Sequence, residues 1–281
     1  MREWVNRFPG LKNKLSSIKK KWFRGEHGEG GVERLAAHQF SDVSGDLRDA
    51  WKHDDIPKRQ RKIVDAELSR FKRGKPVKVF DVMVSALQGL PLSGSDFSIL
   101  DIGCASGFYS EVFAIAQPKA RYVGCDYSEA LIESARDTYR DVQFDVEDAT
   151  QLSYPDGAFD VALSGCCLLH IPEYEVAIRE SVRVASKYVI FHRTQVVVGA
   201  SDNHYFKKTA YGVDMVEIHF GEVRFLEALR ESGLSVISTQ TLHQLKSGAE
   251  DIAVRTYVCR KVMDHPARKG ARKAPEPELV E

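Results

Sequence analysis

Two patterns of apolar and polar positions divide the chain of 281 residues. Across Arg34–Trp51, Pro57–Arg73 and Val77–Leu90 apolar residues recur at helical spacing, which predicts a helical N-terminal region. From Phe97 onward short apolar runs alternate with helical stretches. Strands are expected at Ser98–Ile102, Arg121–Asp126, Val142–Asp145, Phe159–Ser164 and Tyr188–His192. Helices are expected between them at Gly107–Ala116, Ser128–Tyr139 and Glu173–Ala185. Strand, helix and strand at this spacing mean βαβ units and a parallel sheet. The rhythm then changes to a helix near Glu222–Ser232 and two strands, Leu234–Gln240 and Ile252–Cys259, joined by a short polar turn. A hairpin there requires one strand to run antiparallel.

The boundaries follow from punctuation and charge. Residues 1–24 carry eight Lys and Arg against Glu3 alone, and the glycine-rich stretch Gly25–Gly31 reads as a linker. The expected organisation is a basic segment with its linker (1–31), a helical cap (32–92), a nucleotide-binding α/β domain (93–262) and a disordered, proline-containing tail (263–281). Leu11, Leu15, Ile18 and Trp22 form one helical stripe flanked by lysines. Such a basic amphipathic segment, residues 11–23, can touch an anionic membrane surface, or dock on its own domain or on a partner.

Composition narrows the class. Hydrophobic content of 43% and charged content of 28% are those of a globular protein. The formal net charge is zero, which gives no global field for nucleic acid. No apolar run is long enough to span a membrane, and no secretory signal is visible. The five cysteines lie in or beside apolar runs and read as reduced residues of a cytoplasmic protein. No Cys or His spacing points to a metal.

The chemistry concentrates at Ile99–Gly107, Ile-Leu-Asp-Ile-Gly-Cys-Ala-Ser-Gly. An apolar strand ends in Asp101, a small-residue turn follows (Gly103, Ala105, Gly107), and a helix begins. Small residues let a ligand approach the backbone, with N–H groups at the helix start expected to face it. A dinucleotide fingerprint would read G-x-G-x-x-G. Here Asp101 precedes the turn, and a carboxylate repels phosphate but suits an ammonium group. Asp126 ends the next strand and can accept two ribose hydroxyls. Asp148 and Ala149 follow the third strand, where a carboxylate and a backbone N–H can meet an adenine edge. A fourth strand ends at Ser164.

With these features in order, residues 97–194 resemble a class I S-adenosylmethionine (SAM)-dependent methyltransferase of the small-molecule type. The resemblance implies an α/β fold with a doubly wound, mostly parallel, seven-stranded sheet. Helices would cover both faces, one antiparallel strand would lie near the C-terminus, and an N-terminal helical cap would be added. It implies SAM as cofactor, its methionine part held by Asp101, Gly103, Ala105 and Gly107, its ribose by Asp126, and its adenine by Tyr127, Asp148 and Ala149, with Ser164 nearby. Ala105 departs from the glycine that many members carry.

The acceptor is expected beyond the carboxyl ends of the central strands. A hydroxyl acceptor needs a base, and His170 and His192 both follow such strands. The long connection Arg193–Phe220 supplies His204, Tyr211, Glu217 and His219 as candidate substrate contacts for a small molecule such as a sugar, glycoconjugate or phenol. Rival readings are an RNA or protein methyltransferase, a non-catalytic partner subunit of the same fold and an NAD-dependent reductase. The Ser164–Cys167 stretch lacks the Asn/Asp-Pro-Pro-aromatic motif of enzymes that methylate base nitrogens.

Overall fold

The computed structural model describes residues 31–92, 96–247 and 250–262. The expected amphipathic segment 11–23, its linker apart from Gly31, and the tail 263–281 lie outside these residues. In chain order the elements are β1 (Val32–Leu35), α1 (Ala37–Leu47), a 3-10 turn (Arg48–Lys52), α2 (Ile56–Lys72) and α3 (Lys78–Gln88). The α/β core follows as β2 (Phe97–Ile102), α4 (Phe108–Ala116), β3 (Ala120–Asp126), α5 (Glu129–Thr138), β4 (Gln143–Val146), β5 (Phe159–Gly165) and a second 3-10 turn (Leu168–His170). The remainder is α6 (Tyr174–Val184), β6 (Ala185–Val197), β7 (His204–Ala210), β8 (Val213–Gly221), α7 (Glu222–Glu231), β9 (Leu234–Ser247) and β10 (Glu250–Lys261).

The sheet core has the order β4-β3-β2-β5-β6-β10-β9. Strands β2 to β6 pair in parallel, and β10 runs antiparallel to both β6 and β9. This is the doubly wound seven-stranded sheet with one antiparallel strand. A parallel sheet must be covered on both faces, and the period of two in β2 supplies both. Leu100 and Ile102 pack in the cluster that includes α6 and α7, whereas Phe97 and Ile99 pack with α3 and α4.

Three further strands enlarge the sheet. The connection Arg193–Phe220, expected as a loop, instead begins as the far end of β6 and continues into the β7–β8 hairpin. Its two-residue turn is Tyr211-Gly212, with φ of 53° and 76°. Positive φ at both central positions fits the right-handed twist of the flanking strands. β8 joins β6 through Val196 and Val197, and β7 offers its outer edge to β1. That edge explains why the Arg34–Trp51 stretch opens as a strand before becoming helical: backbone pairing wins over helical periodicity at Val32–Leu35. α1 then gives way to the 3-10 turn Arg48–Lys52, which lies against β8 and beside α5.

Candidate functional site

A continuous cleft opens beyond the carboxyl ends of β2, β3, β5 and β6, where a doubly wound sheet places its ligands. One half is walled by the β2–α4 turn, the end of β3 and the segment after β4. The other is walled by the β5–α6 connection, β6 to β8 and the β9–β10 hairpin. The cap contributes Arg48, Trp51, Gln60 and Val79.

At the first half every amide from Gly103 to Gly107 is already committed. Gly103 and Cys104 donate to the Cys125 carbonyl (2.8 and 2.9 Å), Ala105 to Asp126 Oδ2 (3.0 Å), Ser106 to Gln60 Oε1 (3.1 Å) and Gly107 to the Cys104 carbonyl (3.0 Å). The expected N–H groups facing a ligand are therefore not available from these five residues, which removes a pyrophosphate reading. Gly103 and Ala105 line the cleft and present small backbone surface to it. Gly107 does not line it. Its glycine is required because a Cβ there would meet Phe144 at 2.6 Å, so it serves the packing of α4 on the sheet. A Cβ on Gly103 would collide with the side chain of Cys167.

Asp126 lines the cleft with its carboxylate fixed by Ala105 N–H and by Ser128 N–H (3.0 Å). Each oxygen keeps a lone pair for a further donor. Burial pushes its pKa up to about 6 against those hydrogen bonds. Asp101 lies outside the cleft lining, below the turn, buried and hydrogen-bonded by Tyr122 (2.7 Å), with Oδ1 unpartnered. Burial foremost, and then Asp126, raises its pKa to about 7. Asp148 and Ala149 line the cleft beside Glu147. Asp148 Oδ1 accepts from Thr150 and Oδ2 from Arg48 (2.7 Å), so its carboxylate bears on the cap as well. Tyr127 donates its hydroxyl to the Arg48 carbonyl at 2.6 Å. Three carboxylates and one paired arginine make this half suited to a cationic, phosphate-free nucleoside. Ser164 is buried and does not reach the cleft.

At the second half, His170 lines the cleft and its Nδ1 sits 2.8 Å from the Val216 carbonyl. Nδ1 must therefore carry the proton, which leaves Nε2 as an acceptor. Burial pushes its pKa down to about 4, against the pull of Glu217. Trp51 packs on His170 and on Tyr211, with ring centroids 5.0 and 5.6 Å apart. Glu217 lines the cleft, and Lys208 (2.6 Å), His219 (2.9 Å) and Gln195 (3.2 Å) all bind its carboxylate. Those donors overcome burial and hold its pKa well below the usual carboxylate range.

Three expected contacts fall elsewhere. His192 is 1% exposed, bonds Thr256 through Nδ1 (2.8 Å), and packs against Tyr109 outside the cleft lining. His219 stands behind Glu217 and against Phe206. His204 lies at the start of β7, 3.7 Å from Glu250. His219 shares the strand face of Met215 and Glu217, and His204 that of Lys208, but both lie at the end of the hairpin away from its turn, past the cleft lining.

Arg48, Trp51, Gln60, Tyr109 and Arg193 join the site without having been singled out. Only Tyr109 and Arg193 carried a usable signal, lying directly after the glycine turn and after a strand end. Among the described residues the non-glycine positions with positive φ are Ala105, Cys166, Arg193 and Tyr211, and all four line the cleft. Left-handed backbone at such residues is held only where the surroundings impose it, and it clusters at functional sites.

Comparison with known proteins agrees with this geometry. Residues 100–191 match the family described as a methyltransferase domain. The chain is 37% identical over 101 residues to 27-O-demethylrifamycin SV methyltransferase of Amycolatopsis mediterranei, covering 34% of this chain and 36% of that one. It is 56% identical over 45 residues to ajmaline N-methyltransferase of Rauvolfia serpentina, 16% of each. The chain thus spans about a sixth to a third of these relatives' lengths. In fold it resembles Burkholderia thailandensis 1,6-didemethyltoxoflavin-N1-methyltransferase, with a TM-score of 0.53 at 16% identity over 83% of this chain and 96% of that one.

Proposed function

We propose that this chain, a member of the class I SAM-dependent methyltransferases, transfers a methyl group from SAM to an oxygen of a small molecule. The observation that carries the reading is the single cleft joining Asp126 to His170. At one end Asp126 would take the ribose hydroxyls, Tyr127, Asp148 and Ala149 the adenine, and Gly103 and Ala105 the methionine part. Asp101 lies beneath the turn, held by Tyr122, with Oδ1 unpartnered. When bound, SAM supplies a methyl group already activated on a sulfonium. The protein's part is then to align the acceptor, exclude water and hold its proton. His170 Nε2, with its ring fixed by Val216 and Trp51, is the group placed to receive that proton.

A small acceptor fits because the cap turn Arg48–Lys52 covers the cleft between its two halves. A polar ring such as a sugar, glycoconjugate or phenol would find Trp51, Tyr211 and Glu217 around it. An RNA or protein acceptor would need that cap displaced. Calorimetry with SAM and its demethylated product S-adenosylhomocysteine (SAH) tests the cofactor half, with Asp126→Ala expected to weaken binding by about 2–3 kcal/mol. Unchanged affinity would remove Asp126 from the ribose, and tighter binding of NAD than of SAM would remove the whole reading.

The basic stripe at residues 11–23 supports a peripheral contact with the anionic inner surface of a membrane. Among the described residues no helix is long and apolar enough to cross one. Deleting residues 1–24 should abolish sedimentation with phosphatidylserine vesicles and leave SAH binding intact. A full-length protein that stays in the supernatant at low salt contradicts the contact.

A further inference from the structure

The acceptor half carries a group of three polar side chains set into an apolar wall. Lys208 and Glu217 lie diagonally across β7 and β8, Lys208 opposite Met215 and Glu217 opposite Phe206. Their side chains are 15% and 6% exposed, which makes this the most enclosed pairing of a Lys or Arg with a carboxylate among the described residues. Gln195 reaches Glu217 from β6, where it stands opposite Val254 of β10. All three line the cleft, and so do Met215, Val254 and Ala210. Withdrawing two charges from water costs about as much as their attraction returns, so the pair is a poor stabiliser, and its place in a cleft wall calls for another role.

The protein saturates neither Gln195 nor Lys208. A carboxylate only accepts, so the Gln195 amide nitrogen must face Glu217. Its Oε1 therefore turns away, and it has no donor among the described residues. Lys208 gives one N–H to Glu217 and has no other acceptor among the described residues. Glu217 holds both in place and is itself bound by His219 at 2.9 Å. The wall thus offers a cationic donor beside a neutral acceptor. Of the other charged side chains on this half, Glu173 is exposed and Arg193 is engaged within the protein. Besides burial, Glu217 and the Val216 carbonyl act to raise the His170 pKa while Lys208 and Arg193 act to lower it. The pair therefore stands within electrostatic reach of that ring.

We infer that the methyl acceptor is an uncharged ring compound with a split polar edge, a carbonyl or ether oxygen taken by Lys208 and a neighbouring O–H or N–H taken by Gln195 Oε1. This rests on the methyltransferase reading, narrows its substrate class to neutral polar rings and makes Gln195 and Lys208 specificity-determining residues. The charges of Lys208 and Glu217 cancel. A carboxylate seated on Lys208 would lie against Glu217, and an ammonium seated on Glu217 would lie against Lys208, so a charged acceptor of either sign meets repulsion as well as attraction. A neutral edge satisfies both free groups without disturbing the pair. Met215, Val254 and Ala210 then take the apolar surface of the ring, and a separate hydroxyl of the same ring would face His170 Nε2.

The test uses full-length protein, methyl-labelled SAM and a metabolite extract divided by ion-exchange resins into cationic, anionic and neutral pools. Labelled product from the neutral pool alone is the expected result, and the acceptor purified from that pool serves as the probe for variants. Gln195→Met keeps the stem and leaves the ion pair intact. It should raise KM for that acceptor by about tenfold, with kcat within about twofold of the parent's and SAH affinity unchanged. Lys208→Met combined with Glu217→Met removes both charges together, so that neither is left buried alone, and should raise KM by about tenfold or more. Product from a charged pool, or Gln195→Met with the parent's KM, overturns the neutral edge while leaving the methyltransferase reading standing. SAH binding without product from any pool overturns transfer and edge together, and failure to bind SAH overturns the cofactor reading as well.

Discussion

Arg48 donates to Asp148 Oδ2 at 2.7 Å, and this contact pins the cap turn to the segment after β4 that walls one half of the cleft. Three residues later the same turn places Trp51 on His170 and Tyr211. The five-residue turn therefore touches both halves of the site, through Arg48 at one and Trp51 at the other. Both side chains of the ion pair are about two-fifths exposed, so the pair adds less than about 1 kcal/mol to stability. Arg48→Ala should leave the melting temperature nearly unchanged and speed SAH dissociation several-fold, as read by stopped-flow fluorescence. A dissociation rate equal to the parent's would show that the turn does not retain the cofactor.

Cofactor affinity should depend on pH through Asp126, the proposed acceptor of the ribose hydroxyls in its ionised form. Its pKa is raised to about 6 in the folded protein. SAH affinity should thus be flat above pH 7 and fall by up to about tenfold per pH unit below 6. Calorimetry from pH 5 to 8 measures this, and Asp126→Asn should flatten the profile. A fall that persists unchanged in the variant assigns the titration to another group.

Asp101 gives a stability prediction of definite sign. Its folded pKa of about 7 lies above the ordinary aspartate value of 3.8, so the folded state retains a proton that the unfolded chain releases. Its contribution is fully present below pH 4 and is lost as pH rises through 7. Asp101→Asn, which can still accept from Tyr122, should therefore gain on the parent protein as pH increases from 5 to 8, by an amount on the order of a few kcal/mol. Denaturant melts at the two pH values decide it, and a gap that does not widen rejects the buried-acid assignment.

Ala105 tests the turn. With φ of 52° it occupies a conformation that costs an L-residue about 1–2 kcal/mol and glycine almost nothing. Glycine loses part of that gain to greater freedom in the unfolded chain. Ala105→Gly should raise the melting temperature slightly with SAH binding retained, whereas Gly107→Ala should lower it, because its Cβ meets the Phe144 ring. A destabilised Ala105→Gly would mean that the methyl group packs against something the turn needs.

The contrast between these glycines shows what sequence can convey. The strand–turn–helix at Ile99–Gly107 and the acids ending β2 and β3 were legible because each follows from a local run of residues. The same locality placed Asp126, Asp148 and Ala149 at the cleft. What each position does was less legible: Gly107 serves packing and Asp101 lies beneath the turn, both decided by residues distant in the chain. The β7–β8 hairpin was hidden because its signal, Tyr211-Gly212, is short and its strands mix polar and apolar residues. Trp51 and Arg48 reach the site only through the docking of the cap, which no local pattern encodes.

The two histidines that follow central strands can now be separated. His170 lines the cleft, its Nδ1–H is bound by Val216, and its Nε2 is the acceptor left for a substrate proton. His192 is enclosed by Thr256 and Tyr109 and does not line the cleft. With SAM saturating and labelled product as the readout, His170→Gln should slow single turnovers by about 10²–10⁴-fold without weakening SAH binding. His192→Gln should alter stability more than rate. Because burial pushes the His170 pKa down to about 4, the parent's rate should show no histidine titration between pH 6 and 8. A His170→Gln enzyme with the parent's rate would show that no base is used there, and an amine or thiol acceptor would then fit the cleft better than a hydroxyl. A rate lost only in His192→Gln, with folding intact, would place the proton path beneath the cleft, through Tyr109.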